Sequence, residues 1–302
     1  MAVKIAFINN KGGSAKTTTL VNIAGALSNK YPEKKVLIVE GDAQGNASTS
    51  FKVNTKDLQN TVYDVFMGNV TAEKTVIKAF ENIDIIPAKS DMNFLEFDVM
   101  ERFDRQQSKT IYGIVKQLDK SDVDISQLTF DQFLDINPVK NSPTNSYFNM
   151  LDGKMDELDK EYDIILFDTP PELKAVTSSI LALADKAIIP FEPDIYALEG
   201  IRNILHRIRS IQKDYNPNLK VSGILAVKVQ NRTKLHTDIR NSVMRYCIAN
   251  DIRYFMSEIP NSIRFAAATA YSGLPATISN PKNIFTQAYY DLLDELDKHD
   301  II

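Results

Sequence analysis

Short apolar runs recur along the chain as VKIAFIN, KVLIVEGD, IDIIPA, YDIILFD, KAIIPFEP, VSGILAVKV and RYFMSEIP, each bounded by turn residues. Most are nearly continuous in apolar residues rather than alternating, the pattern of strands buried on both faces of a parallel sheet. Between several of them lie stretches with helical spacing: TTTLVNIAGALSNKY, LEGIRNILHRIRSIQKDY and LHTDIRNSVMRYCIAN. This alternation predicts an α/β fold, a doubly wound and mostly parallel sheet with helices on both faces. Ligands are expected outside the carboxyl ends of its strands.

Residues 103–150 depart from the alternation, with helical fragments but no strong buried strand before YDIILFD. The Asn-, Ser- and Pro-rich NPVKNSPTNS reads as an exposed loop. The expectation is a single domain over 1–302 carrying a helical and loop insertion at about 103–150. The uncharged stretch 265–281 is broken by Gly273, Pro275 and polar residues and is no transmembrane helix. MAVKIAFINN reads as the first strand, so a cytoplasmic location is expected.

Composition adds three constraints. Hydrophobic and charged fractions of 44% and 25% are those of an ordinary globular chain. The single cysteine, Cys247, excludes an internal disulfide framework or a four-cysteine metal site within one chain, and His206, His236 and His299 lack metal-ligand spacing. Net charge is only −4, but eleven Lys/Arg face three Asp/Glu between Arg202 and Arg253, whereas Asp91 to Asp163 holds sixteen acids and eight bases. Such blocks make oppositely charged faces, and the basic one is a candidate for a polyanion.

The most specific chemistry lies at residues 10–19, NKGGSAKTTT, between the first strand and a helix. A glycine-bearing loop followed by Lys-Thr in that setting is a phosphate-binding loop: backbone N–H groups and the helix N-terminus face phosphate oxygens. Lys16 would sit on the β and γ phosphates and the Thr17 hydroxyl on Mg2+. Ala15 stands where the loop rule has glycine. Its methyl is harmless if φ is negative there, with Gly12 and Gly13 left to take the awkward conformations.

Lys11-Gly12-Gly13-Ser14-Ala15-Lys16-Thr17-Thr18 resembles the deviant Walker A motif KGGxGKTT, whose early lysine is its signature. EGDAQGNAS at 40–48 is similar to DxDPQGNAS, with Glu40 and Ala43 as departures, and ILFDTPP, containing Asp168, is similar to a Walker B strand end. IYALEGIRNIL, NRTKL and EIPNSIRFAAATAYSGLPA resemble later blocks of the same family, with Ala267 standing where Glu is frequent. The chain is thereby identified as resembling the ParA branch of the ParA/MinD ATPases, over most of its length outside 103–150.

The resemblance implies a Mg2+-dependent ATPase of the P-loop class that forms a homodimer around ATP. Lys11 would reach the partner's nucleotide, Gly12 to Thr18 would wrap the phosphates, and Thr17 would bind Mg2+. Asp42 would position the attacking water, Asp168 would hold the hydration shell of the metal, and Pro260 would border the adenine. Partners divide this family. The C-terminal AYYDLLDELDKHDII is acidic rather than a basic amphipathic helix, so membrane docking is not expected.

The basic region points instead to nonspecific double-stranded DNA, through Arg202, Arg207, Arg209 and Lys213 on one helix and Arg232 and Lys234 beyond the next strand. The resemblance further implies a ParB-like centromere-binding partner that stimulates hydrolysis and a nucleoid-associated role in plasmid or chromosome partition. Two alternatives stay open at this point: an ATPase positioning a protein complex over the nucleoid, and a nucleotide-gated DNA-binding or filament module with little turnover.

Overall fold

A computed structural model describes residues 1–118, 129, 147–230 and 233–302. The strands β1 (Val3–Phe7), β2 (Val36–Glu40), β3 (Ile77–Phe80), β4 (Ile83–Ile86), β5 (Ile164–Asp168), β6 (Lys186–Phe191) and β7 (Lys220–Ala226) form one sheet in the order β3-β4-β2-β5-β1-β6-β7. All pairings are parallel except β3 with β4. Every residue of β2 and β5 is buried, as their continuous apolar sequences require.

Helices cover both faces, and each face has its own apolar cluster. The first centres on Val39, Ile165, Phe167 and Ile204, the second on Phe7, Leu20, Ile38 and Leu292. Helix α1 (Lys16–Lys30) follows β1, α2 (Asn46–Ser50) follows β2, and α3 (Leu95–Leu118) leads into the region expected as an insertion. Residues 103–118 are therefore the last two-thirds of a helix that begins at Leu95; the rest of the expected insertion as far as 146, apart from residue 129, lies outside the described residues. Beyond it come α4 (Ala175–Leu183), α5 (Ala197–Asp214), α6 (Lys234–Ala249), α7 (Ile263–Ser272), α8 (Ala276–Ser279) and α9 (Ile284–Lys298).

Two segments correct the strand reading. Residues 77–80, IKAF, form the antiparallel edge strand β3, whose exposed Lys78 and half-buried neighbours gave no buried-strand signature. Conversely, RYFMSEIP is not a strand. It runs beside β7 and makes only isolated bridges, Ile224 to Tyr254 and Val229 to Pro260. Its middle leaves the ladder because the N–H groups of Met256 and Ser257 donate to the Glu295 carboxylate of α9, both at 2.9 Å. The close approach at one end depends on Gly223, where a Cβ would lie 2.6 Å from the Phe255 ring.

Register sets the position of the site. Phe7 on β1 and Glu40 on β2 both pair with Asp168 at the end of β5, so three strand ends finish level at the carboxyl edge of the sheet. The chain order diverges here, with β1 between β5 and β6, which makes the edge a topological switch point.

Candidate functional site

Above those strand ends lies a cleft of about 1030 Å3. Residues 12–18 form its floor, Gly41, Asp42 and Ala43 one side, and Ile259, Pro260 and Phe265 another. The predicted phosphate-loop residues, Asp42 and Pro260 are thus brought together from three separate parts of the chain.

The loop solves its backbone problem differently from the sequence expectation. Gly13 is left-handed at φ 72°, and so is Ala15 at φ 59° and ψ 25°, as the N-cap of α1; Gly12 has no positive φ. The methyl of Ala15 therefore occupies a conformation that glycine takes freely and alanine adopts only with strain. The helix still starts cleanly, since the Thr19 N–H donates to the Ala15 carbonyl at 2.9 Å.

Lys16 is buried in the loop, its Nζ 3.4 Å from the Lys11 carbonyl oxygen. Burial lowers its pKa, with the charges of Asp168 and Asp42 acting in the opposite direction. The Thr17 hydroxyl donates to Asp168 Oδ2 at 2.7 Å. Burial pushes the Asp168 carboxyl up to about 7, against the Thr17 hydrogen bond and the Lys16 charge, while Glu40 and Asp42 add to the rise. Its second oxygen, Oδ1, is buried and accepts no hydrogen bond. A hydroxyl beside a buried carboxylate with one oxygen unsatisfied fits a hydrated Mg2+, whose charge and waters would satisfy that oxygen.

Asp42 stands half-exposed at the end of β2, with Oδ1 accepting the Gln44 N–H at 3.0 Å. Its backbone is pinned by Glu40, which is fully buried. The Glu40 carboxylate accepts from the N–H of Ala47 at 2.6 Å, the N–H and hydroxyl of Ser48 at 3.2 and 2.6 Å, and the N–H of Ala88 at 3.1 Å. Burial raises the pKa of Glu40 and these hydrogen bonds oppose the rise. The departure from Asp at this position therefore supplies a longer reach to two neighbouring segments.

Lys11 lies at the outer rim, half-exposed, where its ammonium pairs with Asp194 and lies 3.9 Å from Glu192. Its pKa is raised chiefly by the Asp194 hydrogen bond. A second lysine that the sequence reading missed, Lys228, lines the cleft, with its Nζ 2.5 Å from the Gly13 carbonyl oxygen. One cation after a strand carries no motif, so nothing in the sequence singled it out.

The DNA candidates do not form one array. Arg202, Arg209 and Lys213 are exposed and share a face of α5 at spacings of seven and four, and Lys234 is exposed at the start of α6. Arg202 stacks over the Tyr246 ring, 5.3 Å from its centroid. Arg207 does not join them. It is half-buried, donates to Ser178 Oγ at 3.1 and 2.6 Å, and packs 4.7 Å from the Phe148 centroid, so its positive charge braces α5 against α4. Arg232 lies outside the described residues. Cys247 is buried, and among the described residues there is no cluster of His, Cys, Asp and Glu suited to a metal and no helix long and apolar enough to cross a membrane.

A family model described as an AAA domain matches residues 2–131 and 138–221. A ParA family protein of Mycoplasma pneumoniae is 29% identical over 286 residues, covering 92% of this chain and 90% of its own. The chromosome partitioning protein ParA of Caulobacter vibrioides is 25% identical over 293 residues, covering 97% and 92%. Among solved structures, cobyrinic acid a,c-diamide synthase from Mycobacterium smegmatis, with bound ATP analog and magnesium, superposes with a TM-score of 0.72 at 22% identity, covering 99% and 96%.

Proposed function

From the premise that this chain belongs to the AAA-domain family and, within it, to the ParA/MinD ATPases that use ATP and Mg2+, we propose that it is a DNA partition ATPase. Two copies close around ATP, hold nonspecific DNA, and let go when a centromere-binding partner stimulates hydrolysis. The observation that supports this reading is the pair of lysines on one loop: Lys16 buried in the loop and Lys11 half-exposed at the outer rim, paired with Asp194 of its own chain, from which it would turn to the nucleotide of a second copy.

The reaction converts ATP and water to ADP and phosphate. Its demands are charge neutralisation and a water in line with the γ phosphate. The Lys16 ammonium and the N–H groups of 12–18 supply the first. The Asp42 carboxylate, projecting from a loop that Glu40 fixes, orients the water and accepts its hydrogen bond. Thr17 and, through the hydration shell, Asp168 would hold the magnesium, which would supply charge neutralisation at the phosphates. Pro260 borders the base. Two copies of the Arg202, Arg209 and Lys213 face, together with the exposed Lys234, follow a duplex backbone, the family resemblance adds Arg232 as a contact, and each phosphate contact adds roughly 0.9 to the magnitude of the log-log salt slope. On this reading the chain acts on the nucleoid, in the cytoplasm.

Phosphate release measured with DNA and the cognate partner tests the reading. Asp42→Ala should abolish turnover while leaving ATP binding, dimerisation and DNA binding in place. Dimers that form without ATP, or DNA binding indifferent to nucleotide, would sink it. Wild-type protein that dimerises and binds DNA yet never turns over would make it a nucleotide-gated module instead.

A further inference from the structure

Lys228 is placed at the cleft by an unusual local backbone. It adopts φ 52°, one of few left-handed non-glycine residues among those described, and it shares the cleft with another, Ala15. The kink is held from both sides. The Val227 N–H donates to the Phe191 carbonyl at 2.9 Å, the Val229 N–H to the Ile259 carbonyl at 3.0 Å, and the Val229 carbonyl accepts from Asn261 at 3.0 Å. Lysine gains nothing from that conformation, which glycine takes freely, and strained residues that neighbouring structure over-determines concentrate where ligands bind.

The kink directs the side chain across the cleft to the phosphate loop. The ammonium meets the Gly13 carbonyl at 2.5 Å and Glu192 Oε2 at 3.5 Å, and the side chain remains 37% exposed. Glu192 also lies 3.9 Å from Lys11 Nζ, so one carboxylate is shared by two lysines. A cation that is 37% exposed, bonded to the Gly13 carbonyl of the loop it shares the cleft with, and only loosely matched by a shared carboxylate has capacity for a stronger anion.

We propose that Lys228 is a third lysine of the nucleotide site, whose ammonium leaves Glu192 to bind the polyphosphate of ATP beside Lys16. The inference rests on ATP binding alone and is independent of the dimer and DNA readings. The alternative is a brace, in which the Lys228–Glu192 pair merely fastens β7 to the loop.

Calorimetric titration of Mg-ATP into wild type, Lys228→Met, Lys228→Arg and Glu192→Gln separates the two, with ligand-free thermal unfolding confirming that each variant is folded. Loss of one charge-assisted phosphate contact should weaken ATP binding roughly ten-fold in Lys228→Met. Lys228→Arg should stay within about three-fold of wild type, and Glu192→Gln, which frees the lysine, should bind ATP as tightly as wild type or tighter. ATP affinity unchanged in Lys228→Met overturns the proposal. So does an equal loss in Lys228→Met and Glu192→Gln, the signature of a brace.

Discussion

Replacing Ala15 by glycine should stabilise the ligand-free protein. At φ 59° and ψ 25° the alanine Cβ crowds its own backbone, at about 1–2 kcal/mol for an L-residue in the left-handed region. Glycine removes that strain, but its freer unfolded chain returns roughly 0.4–1 kcal/mol. A small further loss comes from the methyl, which packs partly buried against the second apolar cluster. The net expectation is a gain of about 0.5–1 kcal/mol. With an unfolding entropy of about 2.1 cal/mol/K per residue over 302 residues, that raises Tm by roughly 1–2 °C. Differential scanning calorimetry and urea titration of both proteins, without nucleotide, measure it. A Tm that is unchanged or lower in Ala15→Gly would refute the strain argument and mean that the methyl contacts outweigh the dihedral.

Arg207→Ala should cost about 1–2 kcal/mol through its lost Ser178 hydrogen bonds and Phe148 packing, whereas exposed Arg209→Ala should leave stability within ~0.5 kcal/mol and weaken DNA binding; paired melts and filter binding would expose a reversed pattern. Asp168, with a folded pKa of about 7 against an ordinary value of 3.8, binds a proton that the unfolded chain has released between those limits. Its contribution to stability is therefore complete below pH ~4 and lost as pH rises through ~7, so Asp168→Asn should flatten that slope in Mg-free melts and fare better than wild type at pH 8. Mg2+ binds the ionised carboxylate, so Mg-ATP affinity should fall as pH drops below ~7, which titration calorimetry at pH 6 and 8 reads directly. Gly25→Ala would set a Cβ 2.4 Å from Thr277 Oγ1 and 2.9 Å from Ile278 Cγ1. Overpacking of α1 against α8 should outweigh the gain in helix propensity and cost about 1–3 kcal/mol, visible as a lowered urea midpoint.

The central strands were legible because residues buried on both faces leave nearly unbroken apolar runs, as in VLIVE and IILFD. The edge was not. Lys78 on β3 is solvated, so the run is interrupted, while RYFMSEIP is apolar enough for a strand but has its N–H groups taken by a carboxylate almost forty residues away. The same contrast holds in the site. Lys11, Lys16, Thr17 and Asp168 sit in short local patterns fixed by their chemistry. The left-handed Ala15 and Lys228, the four donors around Glu40 and the Arg207 brace depend on segments that only the fold brings together. A helical wheel of α5 separates Arg207 from Arg202, Arg209 and Lys213, so that distinction was within reach of sequence.

Glu295 and its helix carry a last consequence. Helix α9 is tied to α1 by Lys30–Asp294 at 2.6 Å and Tyr31–Asp297 at 2.9 Å, it holds the wall segment at Met256 and Ser257, and its Tyr289 backs the cleft. Any ligand that requires the wall in place also requires the helix to stay docked, so the free energy of ATP binding is in part free energy of holding the C-terminal helix down. ATP should accordingly slow hydrogen exchange along 284–298, including the parts of the helix beyond Tyr289 that do not line the cleft. The tail of the chain then acts as a distant counterweight, through which a load applied at the C-terminus changes how long nucleotide stays.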